Sequence, residues 1–360
     1  MDIQKAGNNS LQLQVQNLNL GIDEKRAREI CREQFEVAKR DYTKEAVQIA
    51  NGRISQFEDR LIPRLQRLEN GLTSLASPEF QMLLGRAQRA AAATDQEKDY
   101  DVLTELLAAR VEHGHRRETR AGIKRAVEIV DEVSDEALQG LTLLHALHTF
   151  RPVAKFISQG LDALNSLYSD VIYSELPHGE RWIDHLDVLG AVRIVPFSKY
   201  GPLDQLLGKD MDGYVCTGIE HGSQDYTATL QALAALHIPQ KGLLVQHELN
   251  PGYYRFNVVH QSDPISYMTE LMPNLFVHQD LTAEHDRLIR PFMARYPKDT
   301  AMLQQVQARF REQMQRRPAI KQAMDWYDHL PIRLQITAVG RALAHANAQR
   351  LHTGLPALQD

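Results

Sequence analysis

The chain has 360 residues, 43% hydrophobic and 24% charged, with 41 Lys and Arg against 46 Asp and Glu for a net charge of −5. This is the composition of a globular chain of two or three domains, and its acidic balance opposes a generic binder of nucleic acid or anionic membrane, leaving such work to a local basic patch. Cys31 and Cys216 are far apart. They exclude a disulfide framework and a C-x-x-C metal or redox motif, and both are expected to be reduced and buried. No stretch approaches the ~18 uninterrupted apolar residues of a membrane helix, and no apolar run follows Lys5, so a cytoplasmic protein is expected.

After a polar lead-in, residues 1–21, apolar side chains recur every three to four positions at Phe35, Ala38, Tyr42, Ala46, Ile49, Phe57, Leu61, Leu65 and Leu68. The spacing predicts one long helix over residues 22–68, in a segment reaching residue 70. Such a helix would extend on the order of 70 Å, more than a compact domain needs, so it is expected to pair as a coiled coil in a homo-oligomer. Residues 71–177 read as an irregular helical domain, with helix starts at Ser77-Pro78, Thr94-Asp95 and Ser134-Asp135-Glu136 and no fixed repeat.

The texture changes over residues 178–262. A helix from Glu180 to Leu189 stops at Gly190, and β-rich runs follow at residues 191–197, 213–219, 243–249 and 253–259. An amphipathic helix at 224–236 separates the second run from the third, and Asn250-Pro251-Gly252 turns the last two into a hairpin. These elements predict a small four-stranded α/β module. Residues 263–360 form a C-terminal helical region that closes with an extended Arg333 to Ile336 and a helix capped by Thr337. The expected fold class is α+β, predominantly α-helical.

The closing RLQITAVGRALAHANAQR places Gly340, Ala344 and Ala348 on one helical face and Ala338, Ala342 and Ala346 on the next. Small side chains at this spacing admit another helix at close range, so the motif is read as packing, with His345 and Asn347 as its polar exceptions and Asn347 bonded to a neighbouring backbone. His145 and His148, at i and i+3, have a metal-compatible spacing but no nearby carboxylate. Glu180, Asp184 and Asp187 share a stripe with His185 beside it, a set able to hold a divalent ion or move protons. The opposite stripe of Trp182, Ile183, Leu186 and Leu189 makes a plain amphipathic helix the preferred reading. His247 and Glu248 are adjacent on a strand and point to opposite faces.

Two basic stretches stand out. One spans Arg110 to Arg125 and includes Arg116, Arg117 and Arg120; the other holds Arg309, Arg311, Arg316, Arg317 and Lys321. Either has the chemistry to contact phosphates, although a solvated face or a docking surface for an acidic partner is preferred. No phosphate loop, dinucleotide fingerprint or nucleophile elbow is present.

The stretches GIDEKRAREICREQFEVAKRDYTKEA (21–46), ATDQEKDYDVLTELLAARVEHG (93–114), WIDHLDVLGAVRI (182–194) and ITAVGRALAHANAQR (336–350) resemble a family of bacterial proteins that carries no assigned activity or catalytic residue. The helix end L-x-x-L-G at Leu186 to Gly190, with the later I-T-x-x-G-x-x-L-A at Ile336 to Ala344, is similar to abortive-infection proteins of the alpha type. That likeness implies a setting in antiphage defence.

The expected function is a non-enzymatic, oligomeric interaction or sensor protein, without cofactor or metal, that docks a protein partner. One alternative is a metal-dependent hydrolase or nuclease using the carboxylates near His185. Another is nucleic-acid binding through a winged-helix-like element around residues 182–197 that uses Arg193.

Overall fold

The apolar stripe of residues 22–68 is carried by two helices rather than one: α1 (Glu24–Ala38) and α2 (Lys44–Gln66). Thr43 is extended (φ −68°, ψ 164°) and its hydroxyl accepts from the Ala46 N–H, so a new helix starts where a continuous one was expected. This computed structural model describes residues 22–38, 43–113, 116–272, 275–352 and 354–358; the expected lead-in 1–21 and Tyr42 lie outside the described residues. The chain divides after Asp131 into two units.

In the N-terminal unit, α2 packs against α3 (Pro78–Ala93) and α4 (Glu97–His113), α1 packs on α2 and α3, and α5 (Arg117–Ile129) packs on α3 and α4. Phe35, Ala50, Ile54, Phe57, Leu61 and Leu65 are all buried. The stripe that motivated a coiled-coil oligomer is therefore largely covered by the unit's own helices, and among the described residues Ile49, at 58% exposure, is its one large aliphatic left wet. Cys31 is buried there as a free thiol, pushed up to about 12 first by burial and then by the Glu58 carboxylate.

The C-terminal unit is built around α6 (Asp135–Thr149), buried on every side from Ala137 to Leu147. Around it run α7 (Ile157–Val171), α8 (Arg181–Val188), α9 (Leu203–Asp210), α12 (Thr300–Gln315), α13 (Pro318–Asp328) and α14 (Ala338–Leu351). Three small antiparallel sheets replace the single four-stranded one. Strand β1 (Val192–Val195) pairs with β7 (Arg333–Ile336), Val192 lying opposite Ile336. Strands β2 (Ile219–Glu220), β3 (Leu244–Gln246) and β4 (Tyr253–Phe256) form a sheet in the order β2-β4-β3, with the 250–252 turn joining β3 to β4. The last sheet is a hairpin of β5 (Ser266–Met272) and β6 (Leu275–Asp280), inside the region read from sequence as helical.

The strand expected over residues 213–219 shrinks to Ile219 and Glu220. The Tyr214 and Val215 N–H groups both bond back to the Met211 carbonyl, a local turn that removes them from any ladder. Helix α10 (Gln224–Ala235), capped by Ser223, and α11 (Ala283–Ile289) cover the middle sheet over a core of Ile219, Leu233, Leu244, Phe256 and Ile289. Among the described residues no helix is long and apolar enough to cross a membrane.

The closing motif is a packing element. Thr337 caps α14, accepting from the Gly340 N–H, and its hydroxyl reaches the Gly190 and Ala191 carbonyls at 2.7 and 2.9 Å. The two short motifs read together in the sequence thus form one joint, the end of α8 against the start of α14. Further along, α14 lies on α6, with Ala342, Ala344, Ala346 and Ala348 all buried. Asn347 donates to the Thr142 hydroxyl (2.8 Å) rather than to backbone, and the Thr142 hydroxyl in turn donates to the Leu138 carbonyl (2.6 Å).

Candidate anion-binding site

In the N-terminal unit, Arg117, Arg120 and Lys124 stand at i, i+3 and i+7 of α5, a single stripe. Glu79, Met82 and Arg86 form the same stripe on α3, which packs alongside. With Arg110 near the end of α4, they line a groove of about 300 Å³ that also touches Leu83 and Ala121. Five cations therefore meet one carboxylate.

Glu79 accepts from Arg110 at 3.1 Å and from Arg120 at 3.0 Å, which orients both guanidinium groups, and Arg86 is paired with Glu128. Arg117 and Lys124 have no ion-pair or hydrogen-bond partner among the described residues. Two unneutralised cations beside two guanidinium groups held by a shared carboxylate make a binding surface for an anion, because arginine's fixed fork matches phosphate or carboxylate oxygens. The floor is apolar: Leu83 is buried, and Met82 is 65% exposed, a large apolar side chain left in water. Arg116 stands apart from the groove lining, at the N-cap of α5, where it makes no side-chain cap bond. The matching stripe on α3 was not singled out from sequence; its signal is the repeated i, i+3, i+7 spacing on the neighbouring helix.

The second basic stretch, in the C-terminal unit, is committed internally. Arg309 donates to the Leu249 carbonyl, Arg311 pairs with Asp204, and Arg316 pairs with Glu312 one turn away. Arg317 meets Asp162 at 2.8 Å and the Ser158 carbonyl at 3.0 Å, and Lys321 pairs with Asp325. The contacts of Arg309, Arg311 and Arg317 fasten α12 and α13 to their neighbours, those of Arg316 and Lys321 each lie along a single helix, and together they leave little charge for a ligand.

The carboxylates around His185 do not converge. Glu180, Asp184 and Asp187 are exposed along the outer face of α8, while Trp182, Ile183 and Leu186 are buried on its inner face. His185 turns away from them, its Nε2 lying 3.0 Å from the Glu132 carbonyl. Among the described residues no group of three or more His, Cys, Asp and Glu side chains has a geometry that could hold a metal ion. His145 and His148 part company as well: His145 Nε2 lies 3.3 Å from His345 Nδ1, and His148 Nε2 lies 3.2 Å from the Tyr327 hydroxyl. Arg193 is exposed on β1, whose partner β7 comes from the far end of the sequence, whereas a wing is a hairpin of consecutive strands.

One pairing was invisible in the sequence. Cys216 Sγ lies 3.8 Å from His247 Nε2. His247 Nδ1 accepts from the Leu249 N–H at 3.1 Å, so its proton sits on Nε2 and is donated to the Cys216 carbonyl at 2.7 Å. Both ring nitrogens are thus engaged, and neither can take the thiol proton. Burial pushes the Cys216 thiol up to about 12, the opposite of an activated nucleophile.

Burial also lowers three histidines, His145 to about 3, with help from His345 and Arg341, His247 to about 4, and His148 in the same direction. Each folded pKa lies below the ordinary 6.5, so between 6.5 and the folded value the unfolded chain binds a proton that the native one refuses. Their contribution to stability is complete above pH ~6.5 and is lost as the pH falls toward the folded values. Between pH 7 and pH 5 the C-terminal unit is expected to lose about 4 kcal/mol through His145 and His247, with a further loss through His148. Thermal melts across this range, repeated with His247→Asn, check it: the variant's slope should be clearly shallower, and an unchanged slope would refute the assignment.

No curated protein and no solved structure matches the chain, so the likeness to abortive-infection proteins gains no support from these comparisons. A protein-family model described only as "-like", a description that attaches no activity, matches residues 21–356, and since this is nearly the whole chain, the protein belongs to that family.

Proposed function

We propose that the protein is a non-enzymatic binding protein whose N-terminal unit takes a small phosphate-bearing anion in the groove between α3 and α5. The observation that carries this reading is the five-to-one excess of cations in that groove, with Arg117 and Lys124 uncommitted. A net charge of −5 over the whole chain makes the local concentration of positive charge selective for position. The apolar floor adds contact area for a ligand body. This reading needs no oligomer, because the stripe on α1 and α2 is largely spent inside the unit.

Titration calorimetry with inorganic tripolyphosphate tests the reading. The double substitution Arg117→Glu, Lys124→Glu should weaken binding at least tenfold, whereas Arg193→Glu, which reverses an exposed cation of the other unit, should leave it unchanged. Raising the salt should weaken the wild type in parallel. Absence of binding at millimolar tripolyphosphate, or equal binding by the reversed variant, refutes the proposal.

A further inference from the structure

The basic groove adjoins a second cavity of about 510 Å³, lined by Gln34, Met82, Gly85, Arg86, Arg89, Ala90, Glu128 and Asp131. Met82 and Arg86 line both. The chemistry of the second cavity differs from the first: Arg86 and Arg89 are balanced by Glu128 and Asp131, the Gln34 amide lies beside them, and Glu128 is held by Arg86 and Arg125 through one oxygen each.

Gly85 is the informative residue. It lies in the interior of α3, where glycine costs about 1 kcal/mol relative to alanine. A Cβ built there would meet only the Gln34 side-chain oxygen, at 3.7 Å, an ordinary contact. Packing within the chain therefore gives no reason for glycine at this position. Its missing side chain instead widens the second cavity, on the same helix face as the shared Met82.

We infer that the two cavities form one nucleotide site, with the phosphates in the basic groove and the nucleoside over Gly85, where the remaining lone pairs of Glu128 and the Gln34 side-chain oxygen accept from its N–H and O–H donors. This rests on the anion-binding reading above. The Arg89 guanidinium supplies a flat cationic surface of the kind on which bases stack, and the donor edge of guanine, with adjacent ring and exocyclic N–H groups, fits the two oxygens of a carboxylate such as Glu128 better than the edges of the other bases. The combined volume falls in the range of about 300–1,000 Å³ typical of small-molecule sites.

The test compares guanosine triphosphate with inorganic tripolyphosphate on the full chain by calorimetry. The nucleotide should bind at least tenfold more tightly. Gly85→Leu, which fills the second cavity and favours the helix, should abolish that advantage while leaving tripolyphosphate affinity within twofold. Gly85→Ala, which removes little space, should retain most of it. Equal affinity of the wild type for both ligands, or a nucleotide advantage untouched by Gly85→Leu, overturns the nucleotide site and leaves the anion groove standing. Failure of both ligands to bind overturns the anion reading and this inference with it.

Discussion

Replacing Arg255 with methionine is expected to destabilise the C-terminal unit by about 3–5 kcal/mol, the cost of removing one partner from a buried charged network. Arg255 is 0% exposed, the largest fully buried side chain described. Its guanidinium donates to the Lys155 carbonyl at 2.7 Å and to the Phe256 and Val258 carbonyls at 3.2 and 3.3 Å. It lies over the Tyr214 ring, 5.2 Å from the centroid, while the Glu248 carboxylate stands 3.9 Å away. That carboxylate is itself occupied, accepting from the Ile157 and Ser158 N–H groups at the start of α7. The carbonyls rather than the ion pair therefore hold the cation, and methionine would orphan three acceptors in an apolar interior. Burial lowers the guanidinium's pKa, yet arginine stays charged at any working pH. At roughly 2–4 °C per kcal/mol for a unit of this size, the melting transition should fall by about 10 °C. Arg255→Lys should recover only part of the loss, since an ammonium cannot match the planar fork. A drop of less than 3 °C for the methionine variant would show that the carbonyls find water or other donors.

Gly340→Ala is expected to cost about 3 kcal/mol, although alanine is the better helix former. A Cβ at this position would lie 2.0 Å from the Ala191 carbonyl oxygen and 3.0 Å from Ile336 Cγ2. The carbonyl cannot simply retreat: it already accepts from the Thr337 N–H at 3.0 Å and the Thr337 hydroxyl at 2.9 Å. Relief requires opening the joint between α8 and α14, and with it the β1–β7 pair that starts there. Gly52→Ala in α2 is the control, with nothing within 4 Å of the added carbon, and should instead gain about 1 kcal/mol. Ala344→Leu, at a fully buried position, should cost about 1–3 kcal/mol by overpacking. Melting curves of the three variants settle the order. If Gly340→Ala proves as benign as Gly52→Ala, the close approach of α14 to Ala191 is wrong.

Local patterns carried much of this fold into view before any contact was known. Thr337 and Ser134 cap helices because a hydroxyl ahead of an apolar period satisfies a free N–H, which is a property of a few neighbouring residues. The α3–α5 groove was half legible for the same reason: Arg117 and Arg120 were conspicuous as charge, but Glu79, Met82 and Arg86 gain their meaning only from lying opposite. Charge run alone could not distinguish that stretch from the one holding Arg311 and Arg317, because neutralisation by Asp204 and Asp162 depends on where other helices pass.

What the sequence determined by itself is the set of elements whose causes are local: helix starts, the hairpin turn at 250–252, the small-residue face of α14 and the burial of both cysteines. Tertiary structure decided the rest. Val192–Val195 has the composition of a sheet strand, yet its partner is Arg333–Ile336, and no local signal encodes a pairing across so much chain. The apolar stripe of residues 22–68 says that a face must be buried, and both a second copy and the chain's own α3 and α4 meet that demand with equal chemistry. Hydrophobic burial is non-directional, so periodicity specifies which side chains leave water, and only the packed arrangement specifies what covers them.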